Sequence, residues 1–182
     1  MRIRQVHPDE WEALRDVRLA ALAESPDAFG ATLEEERAFD EARWRGWASG
    51  EGWAGEVATF VADDGDRSVG MATGFHPDDE PMTVHLFAMW VRPDRRRSGV
   101  GRELVAAVVR WAADLPGVDE LTLRVTISNE SAVRFYASCG FIPTSEEPEA
   151  LREGSPLTTQ TMRLPVGLTG ERDHRAQTRP DG

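Results

Sequence analysis

The chain has 182 residues, and its 21 basic side chains, all arginine, face 32 acidic ones for a formal net charge of -11. That length fits one domain with a core of its own, and the acidic balance argues against a general nucleic-acid binder. A single cysteine, Cys139, excludes an internal disulfide and a cysteine-built zinc site. No apolar run is long enough to span a bilayer, and the N-terminal segment lacks the apolar stretch of a signal peptide. A cytoplasmic location without membrane or nucleic-acid partners is therefore the default expectation. Arginine without lysine, together with abundant alanine, matches the bias of a GC-rich bacterial genome.

Taken in chain order, residues 2–6 alternate as a short strand. Pro8 sits where a first helical turn tolerates proline, and Trp11, Leu14, Arg18 and Leu22 then follow helical spacing up to Ser25-Pro26. A second helix is predicted over 35–48. Strands at 56–62 and 68–75 flank a turn at 63–66 and read as a hairpin. That turn lacks the remainder of a calcium loop. A polar loop at 76–81 leads into a strand over 82–91. The next helix runs from about Gly101 to Asp114, with Val100, Leu104, Val108, Trp111 and Leu115 on one face. A strand at 121–127, a short helix at 130–138 and strands at 141–144 and 157–164 complete the domain, residues 1–166. The tail, 167–182, is polar and reads as disordered. The pattern predicts a mixed α/β (α+β) fold on a single sheet of about six to seven strands with about four helices. Helical crossovers make part of that sheet parallel.

The sharpest local signal is ValArgProAspArgArgArgSerGlyValGly at 91–101. A strand ends, a glycine-rich turn follows, and a helix starts at once. Unpaired N–H groups and the dipole at a helix start favour an anion, and glycines let it approach the backbone. Arg92, Arg95, Arg96, Arg97 and Arg102 add forked donors suited to phosphate, although a solvated turn remains the alternative. No Gly-Lys-Ser/Thr follows, so this is not a Walker loop, and two glycines fall short of the Rossmann fingerprint.

These residues carry a resemblance. ArgArgSerGlyValGly at 96–101 resembles the Gln/Arg-x-x-Gly-x-Gly/Ala loop of the GCN5-related N-acetyltransferase (GNAT) superfamily, and 89–93 resembles the strand before it. Asn129, Ala132, Phe135, Tyr136, Gly140 and Phe141 match a second block, in the same order as in the family. Residues 18–30 are similar to many bacterial members. The resemblance covers about 2–164. It implies the family fold and acetyl-CoA as donor, with no metal. The pyrophosphate would lie on Arg96, Arg97, Ser98, Gly99, Val100, Gly101 and Arg102. The backbone of Met89 and Val91 would pair with the pantetheine arm, beside a bulge that splays this strand from its neighbour. Asn129 would bind the coenzyme arm or cap the helix that follows it.

The implied reaction is direct attack of a neutral primary amine on the thioester. Tyr136 stands at the family's general-acid position; its alternative is a packing role. His85 is the candidate base, since imidazole titrates near neutrality, or else a hydrogen-bonded strand histidine. Strand alternation places His85, Phe87 and Met89 on one face. Phe87 replaces a glutamate of polyamine-type members, and Arg124 replaces one of ribosomal-protein N-terminal acetyltransferases. Both departures weaken those two substrate assignments, and a small-molecule amine is preferred over a protein N-terminus as acceptor. Phe29, Phe39, Trp44, Trp47 and Phe87 are candidates for its pocket, with core packing as the alternative. His76 and the acidic stretch 78–80 read as solvated loop, with lining of the acceptor entrance as the alternative, and Cys139 as a small core residue rather than a nucleophile. The rivals are an acyl-CoA-binding regulatory module that has lost turnover and a protein N-terminal or lysine acetyltransferase. Oligomeric state stays open; homodimers are common among the proteins it resembles.

Overall fold

The structure is a computed structural model that describes residues 1–65 and 67–166. The last residue of the expected 63–66 turn and the tail at 167–182 lie outside the described residues. Eight strands form one sheet: β1 (Arg2–Gln5), β2 (Gly55–Asp64), β3 (Arg67–Pro77), β4 (Thr83–Val91), β5 (Glu120–Thr126), β6 (Ile142–Pro143), β7 (Glu149–Ala150) and β8 (Thr158–Pro165). Their order is β1-β2-β3-β4-β5-β8-β6, with β7 paired to β8. Only β4 and β5 run parallel, and the helix between them, α4 (Val100–Asp114), is the crossover that parallel pairing needs.

The single predicted helix over 35–48 is two helices. The first, α2 (Leu33–Arg37), starts with a capping box in which Thr32 and Glu35 satisfy each other's backbone N–H. Asp40 then accepts from Arg43 N at 2.9 Å and opens α3 (Glu41–Ser49). Two acceptor side chains within nine residues outweigh a continuous apolar stripe. The first helix, α1, covers Trp11–Glu24, and α5 covers Glu130–Ser138. The short strand at 149–150, in a polar segment without apolar alternation, and the split helix bring the described residues to eight strands and five α-helices on the expected single mixed sheet.

The helices cover both faces. α4 and α5 pack on one, where Leu104, Val108 and Tyr136 join Val84, Leu86 and Leu123. α1 and α3 pack on the other, where Leu14, Leu22 and Trp47 join Val61, Met71 and Trp90. Among the described residues no helix is long and apolar enough to cross a membrane.

The strand most relevant to function, β4, changes face midway. Thr73 of β3 pairs with Phe87, and Met71 pairs with Trp90, so Ala72 alone stands opposite both Ala88 and Met89. This is a β-bulge, and Ala88 takes φ 50° to make it. Before the bulge Val84 and Leu86 face α4; after it Met89 and Val91 do. Ala88 and Trp90 now face α1. The expected grouping of His85, Phe87 and Met89 on one face therefore fails at Met89, because the extra residue inverts the alternation.

Helix α4 lies against β3 at Gly74, where an added Cβ would come within 2.6 Å of the Trp111 ring and 3.0 Å of Val108. Gly74→Ala is expected to destabilise the fold by roughly 1–3 kcal/mol, the usual cost of overpacking. In a Trp111→Leu background most of that increment should vanish. Chemical denaturation of the four-member cycle checks both statements.

Candidate functional site

The parallel pairing of β4 and β5 covers only Thr83–Leu86 against Glu120–Leu123. Past that point the strands part, and the backbone of β4 beyond the bulge has no β5 partner. A cleft of about 1230 Å³ opens at the parting. Phe87 and Trp47 line it from the α1 face, whereas Met89 and Tyr136 line it from the α4 face. An intact sheet would keep these groups apart.

His85 lines this cleft and is held at both ring nitrogens. Nδ1 lies 2.8 Å from Thr122 Oγ1, and Nε2 lies 3.1 Å from Glu80 Oε2. An ionised carboxylate only accepts, so Nε2 carries the proton. Nδ1 of the neutral ring then accepts from the Thr122 hydroxyl. Glu80 and Thr122 also line the cleft. Neither carries a motif in the sequence. Glu80 falls in the stretch expected to be solvated loop, and the parallel register alone sets Thr122 opposite His85. His76 instead sits 3.1 Å from the Pro81 carbonyl, in a polar loop contact.

Tyr136 is 9% exposed on α5, with its ring 5.8 Å from Phe141 in an edge contact. Burial, and secondarily Cys139, push its phenol well above the ordinary tyrosine value. Cys139 is itself shifted upward by burial, which outweighs nearby Arg102 and a Ser138 hydrogen bond. The thiol therefore stays protonated, as suits a small packing residue.

The arginine-rich segment is only partly available to a ligand. Arg92 bonds Asp94 at 2.6 Å, and Arg95 bonds Asp64 at 2.8 Å. Arg96 donates to the Val91 carbonyl at 2.9 Å and to Glu24 at 2.5 Å. Arg102 reaches across to the Ser138 carbonyl at 3.0 Å. Arg97 is exposed and has no ion-pair partner among the described residues. Its φ of 62° and that of Gly99, 93°, turn the chain into α4. Space beside Gly99 is open, with nothing within 4 Å of an added Cβ. At Gly101 the same atom would meet Phe135 at 3.1 Å and Met89 at 3.3 Å, so this glycine sets the close approach of α4. Ser98 Oγ donates to the Arg95 carbonyl at 2.6 Å, and the Val100 side chain is core.

Glu24 organises the rear of this loop. Its carboxylate accepts from Trp90 Nε1 at 3.0 Å as well as from Arg96 and Ser25. Burial acts to raise its pKa, but hydrogen bonds from Ser25 and Trp90 and the charge of Arg96 prevail and hold it below the ordinary range. Asn129 caps α5, accepting from Ala132 N at 3.1 Å. Arg124 donates to Thr159 Oγ1 at 2.8 Å and to the Ala150 carbonyl at 3.1 Å, which fastens the β7–β8 hairpin to the cleft wall.

Of the aromatic candidates, Phe29, Phe39, Trp47 and Phe87 line the cleft. Trp44 does not; it is 2% exposed and stacks behind Trp47 at 5.8 Å, so it is a core residue. Trp53 takes the remaining place in the wall, 5.7 Å from Phe87. It lies in a glycine-rich loop, where no periodicity could single it out. Arg18 and Glu36 form a buried forked pair at 2.9 and 2.7 Å within the same lining. Among the described residues no cluster of three or more His, Cys, Asp or Glu could hold a metal ion.

Residues 12–141 match the model of the acetyltransferase (GNAT) family. The chain is 32% identical over 140 residues to a mycothiol acetyltransferase of Kocuria rhizophila, an alignment covering 75% of this chain and 44% of that protein. To the mycothiol acetyltransferase of Rhodococcus jostii it is 34% identical, over 73% of this chain and 42% of the relative. The chain thus spans less than half the length of the curated relatives it matches. Its fold superposes on yncA of Salmonella typhimurium, solved with its cofactor acetyl-CoA, with a TM-score of 0.74 and 20% identity over 96% of this chain and 98% of that one. The match over most of the domain, on a sheet split beside a glycine-rich helix start, makes this chain a member of the acetyltransferase (GNAT) family.

Proposed function

We propose that this protein transfers an acetyl group from acetyl-CoA to the primary amine of a small molecule by direct attack. The observation that carries the reading is the parting of β4 from β5, which brings His85 and Tyr136 from opposite faces of the sheet into one cleft. The unpaired edge of β4 offers Met89 and Val91 backbone groups to an extended amide-bearing arm. The turn at 97–102, with Arg97 unpaired among the described residues and open space at Gly99, suits the pyrophosphate. The other loop arginines hold the loop in shape. The relatives named for mycothiol favour a small acceptor over a protein N-terminus.

In this mechanism the amine arrives neutral and gives up one N–H proton toward the Thr122 hydroxyl, directly or through one water, as its C–N bond forms. Thr122 passes its own proton to His85 Nδ1, and Glu80 stabilises the imidazolium from the other side. The nitrogen lone pair attacks the thioester carbonyl, a C–N bond forms, and the C–S bond breaks as the tetrahedral adduct collapses. The sulfur leaves as thiolate and takes a proton from the Tyr136 hydroxyl. Burial keeps that phenol protonated at every pH where the amine can react. The net products are an amide and free coenzyme A.

Tyr136→Phe should lower kcat by about 100-fold or more, the usual contribution of a positioned acid, while acetyl-CoA affinity stays within about twofold. Thiol release over an amine panel and calorimetric titration measure the two quantities. Unchanged kcat would remove Tyr136 from the chemistry, and a protein that binds acetyl-CoA yet releases thiol with no amine would instead be a regulatory module. Gly99→Glu should abolish measurable acetyl-CoA binding, through its side chain and its φ of 93°; retained affinity would move the pyrophosphate elsewhere.

Tyr136 is the sole tyrosine, so its titration can be followed alone. Its folded pKa lies above the unfolded value near 10, so the folded state keeps the proton to higher pH. Its contribution to stability is intact below about pH 10 and is lost as pH rises through the folded value, because the unfolded chain ionises first. Tyrosinate absorbance should therefore be absent at pH 10 in the native protein and appear on denaturation.

A further inference from the structure

The carbonyls in the last turn of α5 are satisfied from two sources. Cys139 N reaches the Phe135 and Tyr136 carbonyls at 3.1 and 2.9 Å, Gly140 N reaches that of Ala137 at 3.0 Å, and Phe141 N reaches that of Tyr136 at 3.1 Å. These donors lie in the turn after the helix, where Gly140 takes φ 97°. The Ser138 carbonyl takes its donor from another element: Arg102 Nη1, in the first turn of α4, at 3.0 Å. Arg102 Nη2 donates to Ser138 Oγ at 3.2 Å, and that hydroxyl donates to the Phe135 carbonyl at 2.7 Å. One guanidinium thus forks onto both oxygens of the last residue of α5. Cations are favoured at such a helix end by its carbonyls and its dipole.

The helix depends on contacts of this kind. It has nine residues, and Tyr136 is its single buried side chain. Ala132, Val133 and Phe135 are only partly buried against the core. A helix this short gains little from its own hydrogen bonds, so tertiary contacts fix where it lies. The first turn of α4 supplies two: the close approach of Gly101 to the Phe135 ring, and Arg102 on Ser138. Residues 135 and 138 lie on either side of Tyr136 along the chain. Arg92, Arg95 and Arg96 pair with Asp94, Asp64 and Glu24, whereas Arg102 directs its fork at uncharged oxygens of the helix that carries the phenol.

We propose that Arg102 is a positioning residue: its side chain fastens the end of α5 to the coenzyme turn and so holds the Tyr136 hydroxyl at the cleft, rather than binding the pyrophosphate itself. This assignment rests on the acetyl-transfer reading for the role of Tyr136; the fastening is tested independently of turnover.

The test compares the wild type with Arg102→Met, Arg102→Lys and Ser138→Ala, each also in a Tyr136→Phe background. Positions 102 and 138 are exposed, so these changes leave the core intact. The measurements are kcat from thiol release, acetyl-CoA affinity from calorimetry, and hydrogen exchange of the α5 amides. Arg102→Met should lower kcat about fivefold, the worth of one hydrogen bond, and speed α5 exchange by a similar factor. Arg102→Lys keeps the charge and one donor and should recover most of the loss. Ser138→Ala keeps the carbonyl and should lose less than Arg102→Met. In the Tyr136→Phe background each change should alter kcat by no more than about twofold, because the group it positions is gone. Acetyl-CoA affinity should weaken less than kcat falls. An equal kcat loss with and without the Tyr136 hydroxyl, unaltered α5 exchange in Arg102→Met, or a loss confined to acetyl-CoA affinity would overturn the assignment. Thiol release from no amine, even in the wild type, would refute acetyl transfer and leave exchange to decide: faster α5 exchange in Arg102→Met upholds the fastening of Tyr136, and unchanged exchange overturns it.

Discussion

The extra residue at Ala88–Met89 is the constraint on which the site depends. A regular β4 would continue to pair with β5 and would keep its 87–91 segment sealed within the sheet. The bulge instead turns Met89 toward α4 and Trp90 toward α1. Trp90 thereby reaches Glu24 at the end of α1, and Glu24 holds Arg96 at the start of the loop. One register shift thus sets the cleft, the exposed strand edge and the anchoring of the turn that leads into α4. Ala88 takes a positive φ at a cost of order 1–3 kcal/mol, sustained because both flanking faces are packed.

Electrostatics around that turn follow from how the acids are distributed. In a chain of net charge -11, five arginines within eleven residues would repel one another if left bare. Asp64, Asp94 and Glu24 engage three of them, and a helix-end carbonyl engages Arg102. What remains facing outward is Arg97 and a run of backbone N–H groups. The result is a loop tied down by its own ion pairs, with modest local positive charge.

The element order and the helix-start loop were legible in the sequence because each rests on local chemistry, whereas Tyr136 was singled out only by the resemblance of its motif. A glycine pair after a strand and an apolar stripe on α4 need no tertiary context. The exceptions share a cause. The split of 35–48 depends on Thr32 and Asp40 acting as caps, a signal present in the residues but subordinate to the apolar spacing of Phe39 and Trp47. The bulge leaves no mark on a strand that alternates normally to either side of it. Thr122 meets His85 through register between strands 37 residues apart. Glu80 meets it because a loop folds back, and Trp53 reaches the cleft wall from a loop without pattern. Aromatic spacing in α3 could not separate Trp44, which faces the core, from Trp47, which lines the cleft.

The Arg18–Glu36 pair shows how stability and recognition become entangled in such a wall. A buried ion pair often contributes no net stability compared with apolar residues of the same size, while loss of one partner costs roughly 3–5 kcal/mol. Folding alone therefore gives little reason to place a guanidinium under Phe29 and Trp47. The pair does fix the guanidinium plane, because a forked contact with Glu36 leaves it no rotational freedom. Arg18 is thereby locked beneath Phe29, and Trp47 is stacked between Trp44 and Phe87. The pair thus fixes the shape of this wall more than it adds to the stability of the core.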